Sequence, residues 1–290
     1  MGMPSDVGVI DLMLAIPEPG RRGDWYSFLR PNLRDDESRS MAMPAQHLFR
    51  DIPEDPTDAD MIAWTLGEMD RHGIERALIG VSLDGGIQND ALTRHPERFM
   101  GCLHVDPNDG MAAVRAIREA HRRFDLRGVS LFPSGCTPPV PIDDRRMYPV
   151  YTTCAELGVP VLCCVGVPGP RLPMAPQHVE RIDEVCWWFP ELTFVMRHGA
   201  EPWVDLAVKL LQKWPNLYYS TSAFTPRRYP QAIIDYANGR GADKVMYAGY
   251  FPMGLSLERI FRELPDVGLR DEVWPKFLRD NAVRVFGLDR

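Results

Sequence analysis

The sequence predicts a (β/α)8 TIM barrel, an α/β fold built as one domain, and three observations carry that prediction. Short apolar runs rich in β-branched residues recur at 7–13, 76–81, 99–105, 128–132, 159–165, 193–196, 217–220 and 245–247. Stretches of helical period lie between them, which is the pattern of βα units. The runs are apolar on both faces, as strands of a parallel sheet covered on both sides must be. A length of 290 residues suits one barrel of about 250 residues with an insertion. An open doubly wound sheet shares the local pattern, but no Gly-x-Gly-x-x-Gly follows any run.

In chain order, the run at 7–13 supplies the first strand and is followed by residues 17–56, which have weak periodicity. That is far above the usual βα connection of about 2 to 6 residues. The segment contains Trp25, Tyr26, Phe28, Met41, Met43 and Phe49. It reads as a lid over the barrel mouth or an oligomer contact, with a plain surface excursion as the simpler possibility. A helix over 60–72 places Ile62, Leu66 and Met69 on one face; one over 111–122 does the same with Val114, Ile117 and His121. A third, over 204–214, aligns Ala207, Leu210 and Leu211. Asp109 and Asp205 sit where helix starts favour acidic residues. Residues 182–189, 230–238, 255–264 and 271–286 provide the remaining helices.

Composition narrows the function classes. With 33 Lys+Arg against 40 Asp+Glu the net charge is -7, and the most basic run is Arg122-Arg123, so no clustered surface is offered to nucleic acid. No apolar stretch reaches the roughly 18 residues of a membrane span, and the first residues lack the pattern of a signal peptide. The expectation is a cytoplasmic protein without a membrane partner. Six Cys, none in a Cys-x-x-Cys pair, are too few for a disulfide scaffold. Cys102, Cys154 and Cys186 read as buried thiols.

In a barrel, residues at the C-terminal strand ends converge on one pocket. Those positions hold Asp11, Met13 and Ala15, His104 and Asp106, Ser130, Cys163 and Cys164, His198 with Glu201, Ser220 to Ser222, and Tyr250. Cys163 and Cys164 point to opposite faces of a strand, so only one can reach the pocket. Ser220, Thr221 and Ser222 have no evident His base, and His104 reads as a satisfied core histidine. His47, His72 and His95 read as surface or packing residues.

Several stretches together resemble the amidohydrolase-related (amidohydrolase family 2) barrels of metal-dependent hydrolases and decarboxylases. They are FVMRHGAEPW at 194–203, WPNLYYSTS at 214–222, DKVMYAGYFP at 243–252 and NAVR at 281–284, with weaker echoes at 9–16, 127–133 and 158–166. The resemblance implies a first strand ending in Asp-x-His-x-His, whose imidazoles bind zinc or a related ion. Here that stretch is DLMLA at 11–15, so Met13 and Ala15 stand at the imidazole positions. A thioether is a poor zinc ligand and a methyl is none. The resemblance further places Ser130 where binuclear members carry a carboxylated Lys, Cys164 at the strand-five His, and His198 at the retained strand-six His. Tyr250 replaces the strand-eight Asp that binds metal and takes a proton from water.

A catalytic zinc needs about three protein ligands and an open position to bring its water to a pKa near 7. Asp11, Cys164 and His198 could supply a rebuilt set of three, but the carboxylate base would be missing. Tyr250, at an unperturbed value of about 10, is a weak substitute. Without the usual metal, Asp11 needs a partner, since desolvating a lone carboxylate costs several kcal/mol; the candidates are His198 as imidazolium, an Arg such as Arg197 or Arg171, the Tyr250 hydroxyl, or a metal in a displaced position. The strand-five loop at 168–173 carries Arg171 as a possible anion contact, with His178 just beyond it and Glu201 on the next loop as further substrate-binding candidates.

Two functions follow. One is a barrel whose eroded metal site makes it a non-catalytic or accessory subunit of an oligomeric amidohydrolase-related metalloenzyme, with an intact paralogue as partner, a two-component oxygenase being one such assembly. The other is an active hydrolase, decarboxylase or oxygenase using one divalent metal (Zn, Fe or Mn) in non-standard ligation on Asp11, Cys164 and His198. Both carry homo- or hetero-oligomerisation as an expectation. A small-molecule sensor is a third possibility, resting on the barrel mouth and Arg171.

Overall fold

The computed structural model describes residues 2–18, 22–43, 45–56, 59–124 and 126–288, the side chains of 22–25 excepted. Eight parallel strands form one sheet in sequence order: β1 Val9–Asp11, β2 Ile74–Val81, β3 Phe99–His104, β4 Gly128–Leu131, β5 Val161–Cys164, β6 Phe194–Arg197, β7 Leu217–Ser220 and β8 Val245–Met246. A parallel bridge between Leu14 and Phe251, with the Ala15 N–H donating to the Phe251 carbonyl at 2.9 Å, joins the ends of β1 and β8. The predicted (β/α)8 barrel is therefore the observed fold.

The helices are α1 Asp36–Ser40, α2 Met61–Arg71, α3 Ile87–Arg94, α4 Met111–Phe124, α5 Tyr148–Leu157, α6 Ile182–Trp188, α7 Val204–Lys213, α8 Gln231–Ala237, α9 Leu257–Glu263 and α10 Asn281–Phe286. None is long and apolar enough to cross a membrane among the described residues. Helix α2 starts where Asp60 accepts from the Ile62 and Ala63 N–H groups, satisfying two donors no helical carbonyl can reach. Helix α7 buries Ala207, Leu210 and Leu211, the stripe its sequence announced. Helices α1, α3 and α5 have no forerunner in the sequence pattern. Helix α3 is polar and buries only Asn89, Ala91 and Leu92. Helix α5 opens on Tyr148 and Pro149, includes Val150, Tyr151 and two Thr, and is helical because the barrel wall buries it, overriding its strand-like composition.

Strand alternation sorts side chains into two cores. Ile10, Leu12, Leu78, Met100, Cys102, Leu162, Val195, Met246 and Ala248 fill the barrel interior, and Ala282, Val283 and Phe286 of α10 close its bottom. Val9, Phe194, Met196, Tyr219 and Tyr247 belong to the layer between sheet and helices. All six cysteines are buried free thiols.

Residues 17–56, as far as they are described, lie across the C-terminal mouth. A 3-10 helix at Arg22–Asn32 carries Tyr26, Phe28 and Leu29 to it, and Met43, Ala45, Leu48 and Phe49 follow. Asn32 Nδ2 donates to the carbonyls of Gly135 and Cys136, at 3.1 and 2.9 Å, anchoring the excursion to the loop after β4. The Trp25 side chain lies outside the described residues.

Candidate functional site

The mouth encloses a cavity of about 680 Å³. Its polar lining comes from the strand ends and the loops beyond them: Cys102 and His104 of β3, Ser130 of β4, Cys164 of β5, Arg197 of β6, His198 just after it, and Tyr250 beyond β8. Met13 and Ala15 line it after β1, while Phe28, Phe49, Phe132 and Phe224 supply much of its apolar wall. The Tyr26 and Tyr250 hydroxyls lie 3.0 Å apart and the Phe49 ring stacks on Tyr250 at 5.3 Å, so the insertion and β8 meet over the opening.

Arg197 dominates the electrostatics. Only 8% of it is exposed; one terminal nitrogen donates to the Met13 sulfur at 2.7 Å, and Nε has no hydrogen-bond partner. Its positive charge acts on Cys102, His104, Cys163, Cys164, His198 and Tyr250, which places it among the ends of four strands. Burial first and Arg197 second push His198 down to about 3 and His104 down to about 4, so both imidazoles are neutral. His104 is exposed and lines the cavity, with Nδ1 3.2 Å from Ser130 Oγ and its ring 4.6 Å from that of Phe28. Burial raises the Cys164 thiol to about 11 and raises Tyr250 as well, so neither is ionised near neutral pH.

Local backbone explains how both Arg197 and His198 reach the cavity. Arg197 shares the inward parity of Val195. Alternation would send His198 outward, but the chain turns left-handed there, with φ of 65° at His198, 103° at Gly199 and 70° at Ala200. Such conformations in residues other than Gly cost on the order of 1–3 kcal/mol each and persist where the surroundings impose them. A hydrogen bond of 3.3 Å between Ser222 Oγ and His198 Nδ1 holds the ring. The three-residue hydroxyl run thus does meet a histidine, yet Ser222 is fully buried and is not part of the cavity wall.

Asp11 is not in the cavity. Its neighbours Ile10 and Leu12 fill the interior, so its carboxyl points to the helix side of the wall, beside Tyr247. Oδ1 accepts from the Met13 and Gly249 N–H groups at 2.9 and 2.8 Å, whereas Oδ2 and the Tyr247 hydroxyl have no partner of good geometry. Burial raises Asp11 to about 7 against these two backbone bonds. None of the side chains anticipated as its partner fills that role: His198 is neutral, Arg197 bonds Met13, Tyr250 bonds Tyr26, and Arg171 is engaged elsewhere.

Of the substrate-binding candidates only Glu201 lines the cavity, with its side chain exposed. Arg171 does not; it bridges Asp35 at 2.7 Å and Glu37 at 2.9 Å, tying the loop after β5 to the insertion. His178 packs on Trp203 at 3.9 Å and accepts from the Glu180 N–H. Cys163 faces the outer layer while Cys164 reaches the cavity.

These donors do not fit a catalytic metal ion. Met13 already accepts a hydrogen bond from a guanidinium, Ala15 offers nothing and Asp11 is on the far side of the wall. No group of three or more His, Cys, Asp or Glu is arranged to hold a metal among the described residues, so Asp11, Cys164 and His198 do not form the three-ligand set.

A closed parallel barrel with a polar cluster at its C-terminal mouth is an architecture in which small-molecule sites are found. A family model described as amidohydrolase (family 2) matches residues 29–288, and the chain belongs to that family. Among solved structures it is similar to an uncharacterised TIM-barrel protein from Bordetella bronchiseptica, at 24% identity and a TM-score of 0.73, covering 97% of this chain and 99% of the other. It is also similar to 5-carboxyvanillate decarboxylase from Sphingomonas paucimobilis, at 16% identity and a TM-score of 0.66, covering 97% and 99%. A third is a dihydroxybenzoic acid decarboxylase from Polaromonas with bound manganese, at 17% identity and a TM-score of 0.64, covering 98% of each chain. A search of curated proteins finds no match.

Proposed function

We propose that this chain is an amidohydrolase-family barrel that does not carry out metal-dependent hydrolysis by itself and acts as a ligand-binding or accessory subunit of an oligomer. The observation that supports this reading is the Arg197 guanidinium bonded to Met13, at the position where the resemblance calls for an imidazole on a metal. A buried cation repels a divalent ion, and among the described residues no three His, Cys, Asp or Glu side chains are grouped to hold a metal, although His104, His198 and Cys164 all line the cavity.

The test is elemental analysis of chain purified without chelator, paired with turnover assays on aromatic acids and on amide and ester substrates with Mn²⁺ or Zn²⁺ added. The expected result is metal far below one ion per chain and no metal-dependent turnover. A second reading, a decarboxylase with non-standard ligation through Cys164 and His198, is favoured by the cavity position of both side chains and by the similarity to decarboxylases, one of them holding manganese. Stoichiometric metal with turnover that His198→Ala abolishes would establish that reading and overturn the first.

A further inference from the structure

Arg197 poses an energetic problem that the fold itself leaves unsolved. An uncompensated buried charge costs several kcal/mol, and buried guanidinium groups in proteins are ordinarily paired. Among the described residues Arg197 has no carboxylate within ion-pair distance, and its one hydrogen bond goes to a thioether, a weak acceptor. Asp11, a fully buried acid in the barrel wall, faces the other way and bonds backbone N–H groups. The other charged side chains of the cavity wall, Glu201 and Arg228, are exposed. The guanidinium is therefore a largely desolvated cation in the wall of a cavity of about 680 Å³.

We propose that the barrel mouth is a metal-independent binding site for an organic monocarboxylate with an extended apolar body, in which the carboxylate pairs with Arg197. The planar fork of a guanidinium matches a carboxylate in two-point geometry, and Arg197 lines the cavity while its Nε stays buried and without a hydrogen-bond partner. The volume falls inside the range of about 300–1,000 Å³ typical of sites for drug-sized ligands, larger than a bare inorganic anion requires. Phe28, Phe49, Phe132 and Phe224 offer the apolar contact. His104, Ser130 and Tyr250 are neutral hydrogen-bonding groups, so the site neutralises one negative charge.

This inference rests on the reading of the mouth as metal-free, and the two can fail separately. Binding to the full chain is measured by calorimetry with 2-naphthoate and decanoate, with 2-naphthamide as the neutral isostere and acetate and inorganic phosphate as small anions, each with and without EDTA. The expected result is saturable, EDTA-insensitive binding of the two large carboxylates, with the amide weaker by at least about thirtyfold, since unpairing a buried charge at an interface costs about 2–5 kcal/mol. Arg197→Met removes the charge at similar length and is expected to fold, because it replaces an unpaired buried cation by an apolar chain. It should bring naphthoate and naphthamide to equal affinity. Should that variant fail to fold, the carboxylate-to-amide ratio on the unaltered chain decides alone.

Equal affinity of acid and amide, unchanged naphthoate binding by Arg197→Met, or no saturable binding of either large carboxylate at millimolar concentration would overturn the proposal. Binding that needs a divalent ion would overturn it together with the metal-free reading. Arg197-dependent, EDTA-insensitive binding alongside metal-dependent turnover would refute only the accessory role and leave the anion site standing.

Discussion

Asp11→Asn tests whether the buried carboxyl is a structural group rather than a metal ligand. Burial raises Asp11 from 3.8 to about 7 in the folded chain. Each pH unit of that difference is worth about 1.36 kcal/mol, so the charged form costs the fold on the order of 4 kcal/mol. The folded state keeps a proton that the unfolded chain has released, so the stability tied to this group is fully present below about pH 4. It drains away as pH rises and is gone above about pH 7. Asn can accept the same two N–H bonds, from Met13 and Gly249, and cannot ionise. Unfolding in urea at a series of pH values, read as the difference between variant and wild type, cancels groups common to both. That difference should move in favour of the variant by on the order of 4 kcal/mol between about pH 4 and pH 8. A difference that is flat, or that moves against Asn as pH rises, would show a carboxyl held in its charged form and refute the placement of Asp11 on the helix side of the wall.

Two further outcomes follow from the geometry. Gly249→Ala would put a Cβ 2.6 Å from Asp11 Oδ2 and 3.0 Å from the Tyr247 hydroxyl. Both neighbours are buried, so a loss of about 1–3 kcal/mol is expected, measured by the same urea unfolding, and no loss would mean the pair is free to move. Leu48, at the cavity mouth, and Val167 on the loop after β5 are 61% and 52% exposed. If the expected oligomer forms through this face, Leu48→Glu with Val167→Glu should lower the mass seen by light scattering; an unchanged mass above that of one chain would exclude these residues from the contact.

How much of this was legible beforehand differs between fold and site. The recurring apolar runs fell on all eight strands, because burial on both faces leaves an unmistakable composition. The stripe of Ala207, Leu210 and Leu211 marked α7 in the same way. Helices α3 and α5 were illegible, one too polar and short, the other composed like a strand, since tertiary burial and not local preference makes them helical.

At the site, the residue types alone determined that Met13, Ala15 and Tyr250 stand where the family's donors belong, and that His198 survives. Only the tertiary structure decided where the charges point. Strand alternation places Asp11 outside the interior and Arg197 inside it, and the left-handed turn after β6 adds His198 to the same cavity. Arg171, the more visible anion candidate on its loop, is consumed by Asp35 and Glu37 of the insertion. Side-chain direction depends on register and on a single backbone turn, and neither is written in the identity of the residue. A sequence therefore names the available groups, and packing chooses which of them meet.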